Sequence, residues 1–168
     1  MIRWHFIGHL QSNKVKALLM VPNLYMVHSI DRLKIAKLME KRLTSEERSL
    51  RVLIQVNTSG ETSKYGCKPE QASQLVDDVT SLTHLQISGL MTIGRLAGGE
   101  DSARECFLLL SQLREEIKTS KAGKKLPHLS MGMTSDYKAA LKEGSTMVRI
   151  GQAIFGERST LDSEYWPE

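Results

Sequence analysis

The chain has 168 residues, 40% hydrophobic and 25% charged, an ordinary globular composition that excludes disordered and fibrous classes and requires no more than one domain. Lys and Arg exceed Asp and Glu by 23 to 19, giving a net charge of +4, too small an excess for a nucleic-acid footprint. No run reaches the roughly 18 apolar residues that span a bilayer, and Met1-Ile2-Arg3-Trp4 lacks a signal-peptide pattern, so the expected setting is cytoplasmic, without nucleic-acid or membrane partners.

Short apolar runs predict six strands, at residues 4–10, 24–30, 51–58, 85–93, 128–133 and 147–155. Helical patterns fill the intervals. After the first strand, Ser12 is placed to cap a short helix ending near Met20. After the second, Asp31 is placed to cap a longer helix whose stripe is Leu33, Ala36, Leu38 and Met39. Lysines and arginines at 34–42 and 118–125 read as solvated faces. Pro69 suits a first helical turn before Leu75, Val76 and Val79. Residues 96–101, with Gly98-Gly99, read as a surface loop before Ala103, Phe107, Leu110, Leu113 and Ile117 repeat at helical spacing. A last helix, 135–143, ends at Gly144, a left-handed stop. This alternation predicts an α/β fold with a parallel sheet, its strands buried on both faces. The stretch after Arg158 reads as a polar tail.

In parallel α/β folds ligands meet the C-terminal ends of strands, and barrel phosphate sites favour the last two. Here those strands run into HLSMGMTSD (128–136) and MVRIGQAIFG (147–156). Ser130, Gly132 and Thr134 lie where a strand gives way to a helix, where hydroxyls and N–H groups converge on an anion. Taken alone, Thr134 or Ser135 serves equally as a helix cap. Arg149 alternates with Val148 and Ile150, so a permanent charge points to one face of a strand expected to be buried. A structural ion pair would satisfy it, but Gly151 leaves room beside it and favours a ligand. NTSGETSKYG (57–66) is a polar turn on the same rim, with Lys64 its only amine and a secondary candidate. His5 and His9 read as packing or rim residues. Cys67 and Cys106 lack metal-ligand spacing, so no metal site is expected and both thiols are expected to be reduced.

WHFIGHLQSNK (4–14), VNTSGETSKYG (56–66), GLMTIG (89–94), LSMGMTSD (129–136) and STMVRIGQAIFGER (145–158), in this order, resemble the pyridoxal phosphate homeostasis protein family. The resemblance implies a single (β/α) barrel related to the alanine racemase N-terminal domain and a non-enzymatic role in managing pyridoxal 5'-phosphate. It implies a monomer and a site in which Ser130, Gly132, Met133, Thr134, Gly151 and Gln152 hold the phosphate. Arg149 would face the pyridine nitrogen. Gln152 departs from the small hydroxyl residue usual in the family. The family's first two strands, one carrying a Schiff-base lysine, should precede Trp4. The expectation is therefore a partial barrel of about six βα units over residues 1–158, with a tail at 159–168. It would bind its cofactor weakly or non-covalently, and its open edges would be free for self-association. The competing readings are a racemase-like enzyme and an assembly module that pairs through those edges.

Overall fold

The computed structural model describes residues 1–95, 99–120 and 125–156. Six strands form one sheet: β1 (Trp4–Phe6), β2 (Leu24–Ile30), β3 (Leu50–Gln55), β4 (Leu85–Met91), β5 (His128–Met133) and β6 (Met147–Arg149). Every pairing is parallel and each strand lies beside its sequence neighbours, in the order β1-β2-β3-β4-β5-β6. Helices α1 (Val15–Leu19), α2 (Leu33–Ser45), α3 (Ala72–Thr80), α4 (Gly99–Ser120) and α5 (Tyr137–Lys142) form the crossovers, and α6 (Gln152–Phe155) follows β6. Sequential parallel strands joined by crossovers of one hand place the helices on one face.

That face is the main core. Val52, Ile54 and Val56 from β3 and its end pack with Ile35, Ala36, Met39 and Leu43 from α2, Val76 and Val79 from α3, and Phe107 and Leu110 from α4. On the opposite face Met26, Leu53 and Met91 form a second, smaller cluster, each fully buried. The sheet is strongly curled. In a flat sheet β2 and β5 would stand about 14 Å apart, three strand spacings. Yet His28 on β2 and Ser130 on β5 are hydrogen-bonded at 2.9 Å across the concave side. The result is a partial barrel, with the methionine–leucine cluster filling the middle of its lumen.

Several predicted boundaries require correction. β1 ends at Phe6, not residue 10, and β6 ends at Arg149, after which Phe155 and Ile154 donate to Gly151 O in a helical turn. Both are edge strands with a partner on one side only among the described residues, so local preference decides their ends. β6 is accordingly half-exposed, where a buried strand was expected. Neither Ser12 nor Asp31 caps a helix through its side chain. The first lies inside a short 3₁₀ turn, and Asp31 instead pairs with Arg32 at 2.5 Å. In α2 Leu38 is exposed, and Ile35 takes its place in the stripe. The helix expected from residue 135 is α5, which begins at Tyr137 with Asp136 as its N-cap residue. Gly99–Asp101 belongs to α4, while 96–98 and the tail from 157 lie outside the described residues. Pro69 does open a helical turn ahead of α3, and Gly144 has the positive φ expected of a helix stop. Among the described residues no helix is long and apolar enough to cross a membrane.

Candidate functional site

Alternation along each strand sends one set of side chains into the lumen. On β1 this is His5, on β2 His28, on β5 His128 and Ser130, and on β6 Arg149. They meet. His5 Nδ1 and His28 Nε2 are 2.8 Å apart, and His28 Nδ1 and Ser130 Oγ are 2.9 Å apart. Arg149 Nη1 donates to Ser130 Oγ and its Nη2 donates to Thr92 O, each at 2.9 Å. Thr92 Oγ1 in turn donates to Val56 O and contacts Thr58 Oγ1, both at 2.8 Å. All six strands or their ends are thus tied across the C-terminal half of the lumen.

Burial controls the charges. His28 is pushed down to about 3, first by burial and then by His5, Arg149 and His128, so it is neutral near pH 7. Burial also lowers Arg149 to about 10, while Asp136 pulls it upward. At pH 7 it remains a cation. Among the described residues no carboxylate lies within ion-pair distance of it, and its named acceptors are a hydroxyl and a carbonyl. A guanidinium has five donors, so this inward charge is only partly satisfied by the protein.

The sequence-selected residues fall into two groups. Ser130 is fully buried and committed to Arg149 and His28, below the strand end. Thr134, Gly151 and Gln152 lie at the rim. The Ala153 N–H reaches Thr134 Oγ1 at 3.4 Å, bringing the turn after β5 against the turn after β6. Met133 N–H donates to Asp136 Oδ1 at 2.6 Å, so that donor is consumed internally, and the carboxylate stands where the helix start was expected to favour an anion. Gly132, at φ +94°, faces α5: a Cβ there would lie 2.6 Å from the Ala140 Cβ. A Cβ at Gly151 would meet nothing within 4 Å, and the backbone beside Arg149 is open.

The rim continues at the ends of β1 to β3. Asn57 Nδ2 donates to the carbonyls of Glu61 and Lys64, which makes 57–66 the self-bonded polar turn expected from its composition. His9 stacks on Tyr65 at a centroid distance of 3.7 Å and lies 3.5 Å from Asp31. Its acidic neighbour was invisible in the local sequence because it comes from the end of the next strand. Both cysteines are free and buried, and burial raises Cys67 to about 12, an inert thiol. Among the described residues no group of His, Cys, Asp and Glu could hold a metal. Sequence reasoning missed His28, whose signal was a polar side chain at an inward position of the apolar strand LYMVHSI.

Residues 4–159 match the family described as alanine racemase, N-terminal domain. The pyridoxal phosphate homeostasis protein of Schizosaccharomyces pombe is 44% identical over 160 residues, which cover 95% of this chain and 67% of that protein. The Homo sapiens protein of the same name is 44% identical over 165 residues, covering 94% of this chain and 59% of its own length. This chain therefore spans about three fifths to two thirds of these relatives. The structure of PipY from Synechococcus elongatus with PLP bound superposes with a TM-score of 0.81 at 29% identity, over 92% of this chain and 71% of that one. On the match over residues 4–159 and the identity to these relatives, the chain belongs to the pyridoxal phosphate homeostasis protein family, built on the alanine racemase N-terminal domain.

Proposed function

We propose that the chain binds pyridoxal 5'-phosphate reversibly at the C-terminal rim of the partial barrel and serves its storage or delivery rather than catalysing a reaction. The observation that carries the reading is Arg149: a lumen-facing cation with no carboxylate partner among the described residues, beside an open glycine. Such a group calls for a ligand acceptor at that position. The names of the relatives and the PLP bound to PipY point to the same ligand.

The residues fit the group. Thr134, Gly151 and Gln152, on two adjoining turns at the rim, supply a hydroxyl and N–H groups for the phosphate, with Gly132 and Met133 shaping the turn. Ser130 holds Arg149 from below instead of reaching the phosphate itself. Arg149 donates a hydrogen bond to the ring nitrogen and, being already protonated, cannot deliver that nitrogen a proton cheaply. When bound, the cofactor supplies an aldehyde and an electron sink. An unprotonated ring is a weaker sink, which favours holding over carbanion chemistry.

None of the six strands carries a lysine, so the expected binding is non-covalent. Lys64 belongs to the rim turn. The same reading takes residues 1–158 as the binding unit and 159–168 as its tail, in a cytoplasmic setting without nucleic-acid or membrane partners. Equilibrium dialysis with pyridoxal phosphate tests it. One bound molecule per chain, removable by dialysis and leaving no lysine labelled after borohydride treatment and peptide mapping, is the expected result. Absence of binding at millimolar ligand rejects the site. Stoichiometric labelling of one lysine rejects the non-covalent mode, and measurable exchange of an amino-acid α-proton rejects the non-enzymatic role.

A further inference from the structure

The side chains behind Arg149 form a series with one self-consistent direction of donation. Arg149 Nη1 can only donate, and it donates to Ser130 Oγ. The hydroxyl's other partner among the described residues is His28 Nδ1. With the guanidinium directed at a Ser130 lone pair, the serine's own proton is free to point at His28, whose Nδ1 is then the bare nitrogen. His28 accordingly carries its proton on Nε2 and donates it to His5 Nδ1. Each of the three links pairs a donor with an acceptor, and Arg149 is the only charged member. The neutrality that burial imposes on His28 is the state this series requires.

We propose that His28 is a positioning residue for the contact between Arg149 and the ring nitrogen of the cofactor. By accepting from Ser130 it turns the hydroxyl's lone pair toward the arginine, which then directs its remaining N–H groups into the lumen. Without an acceptor at Nδ1 nothing fixes the Ser130 proton, so the lone pair that receives Arg149 is no longer held toward it, while Thr92 O holds only the other nitrogen. The inference rests on the proposed binding of pyridoxal phosphate. It differs from a plain structural role, in which the His28–Ser130 bond merely pins β2 to β5 and every ligand of the rim would be affected alike.

The test compares two ligands by calorimetric titration: pyridoxal phosphate and its carbocyclic analogue, in which a benzene ring replaces the pyridine and the phosphate and aldehyde are kept. His28→Leu is expected to weaken pyridoxal phosphate by about threefold to tenfold, the worth of one neutral hydrogen bond, and to leave the analogue unchanged. His28→Asn, whose Oδ1 can occupy the place of Nδ1, is expected to restore the difference between the ligands. Equal losses on both ligands, no loss on either, or failure of the asparagine to rescue would overturn the proposal. Nitrogen-15 NMR of the unmodified chain decides independently of how the variants fold. A proton on Nε2 of His28 supports the series, and a proton on Nδ1 overturns it. Failure of the unmodified chain to bind pyridoxal phosphate would count against the proposed function, and the tautomer would still judge the series.

Discussion

Arg149 and His28 occupy one lumen, and burial acts on them in the same chemical sense, against charge. The arginine stays charged because its ordinary value is so high, whereas the histidine becomes neutral. Replacing Arg149 by Met is expected to weaken pyridoxal phosphate binding by about tenfold or more, since a hydrogen bond from a charged donor is worth about 1.5 to 3 kcal/mol; equilibrium dialysis measures it. For His28 the consequence is a pH effect on stability. Its folded value lies below that of the unfolded chain, so between about 6.5 and 3 the unfolded state binds the extra proton and stability falls as pH falls. Urea unfolding at pH 7 and pH 5 should differ by about 2 kcal/mol from this residue, and His28→Asn should remove that share. The candidate site was legible where its residues are contiguous, as in HLSMGMTSD and MVRIGQ. It was not legible where partners lie far apart: His28 and Ser130 are 102 positions apart. The Ser130 hydroxyl, expected from its local motif to face an anion, bonds to His28 and Arg149 in this structure, partners that the motif alone does not reveal.

Among the elements, β4 and β5 show how close strand packing depends on a missing side chain. Gly89 has φ +153°, and a Cβ there would lie 1.9 Å from His128 O, a backbone atom that cannot swing aside. Gly89→Ala is expected to cost about 3 kcal/mol or more, through strain and a displaced strand, seen as a lowered melting temperature by circular dichroism. Six strands and their helices could be read from periodicity because the interior strands, such as β2 and β3, are buried almost throughout. The edge elements resisted the same reading. At β1 and β6 only one neighbour among the described residues enforces extension, so IGHL and QAIF, apolar enough to pass for strand, leave the sheet. At the start of α2 the error was electrostatic. Asp31 has the composition of a cap, but its carboxylate is drawn to Arg32 and faces His9.

For the whole molecule, the two edges are the exposed part of the design. Trp4 and Ile7, in and just after β1, and Val148, Ile154 and Phe155, at and after β6, are exposed apolar side chains, Phe155 at 87%. Edges of this kind favour pairing with another chain. Concentration-dependent association by light scattering is the expected behaviour, reduced by Ile154→Lys with Phe155→Lys; a mass that stays monomeric from micromolar to near-millimolar chain would reject it. The order of the strands also sets a timetable for folding. Each strand pairs with the one made just before it, so the sheet can grow one βα unit at a time as the chain leaves the ribosome. The bonds of Ser130 to β2 and of Arg149 to the end of β4 are exceptions, because they skip over the strand made just before. Closure of the lumen at the His28–Ser130 bond therefore waits until β5 has joined the sheet, and until then the inward histidine of β2 lacks the hydroxyl partner that it has in the finished fold.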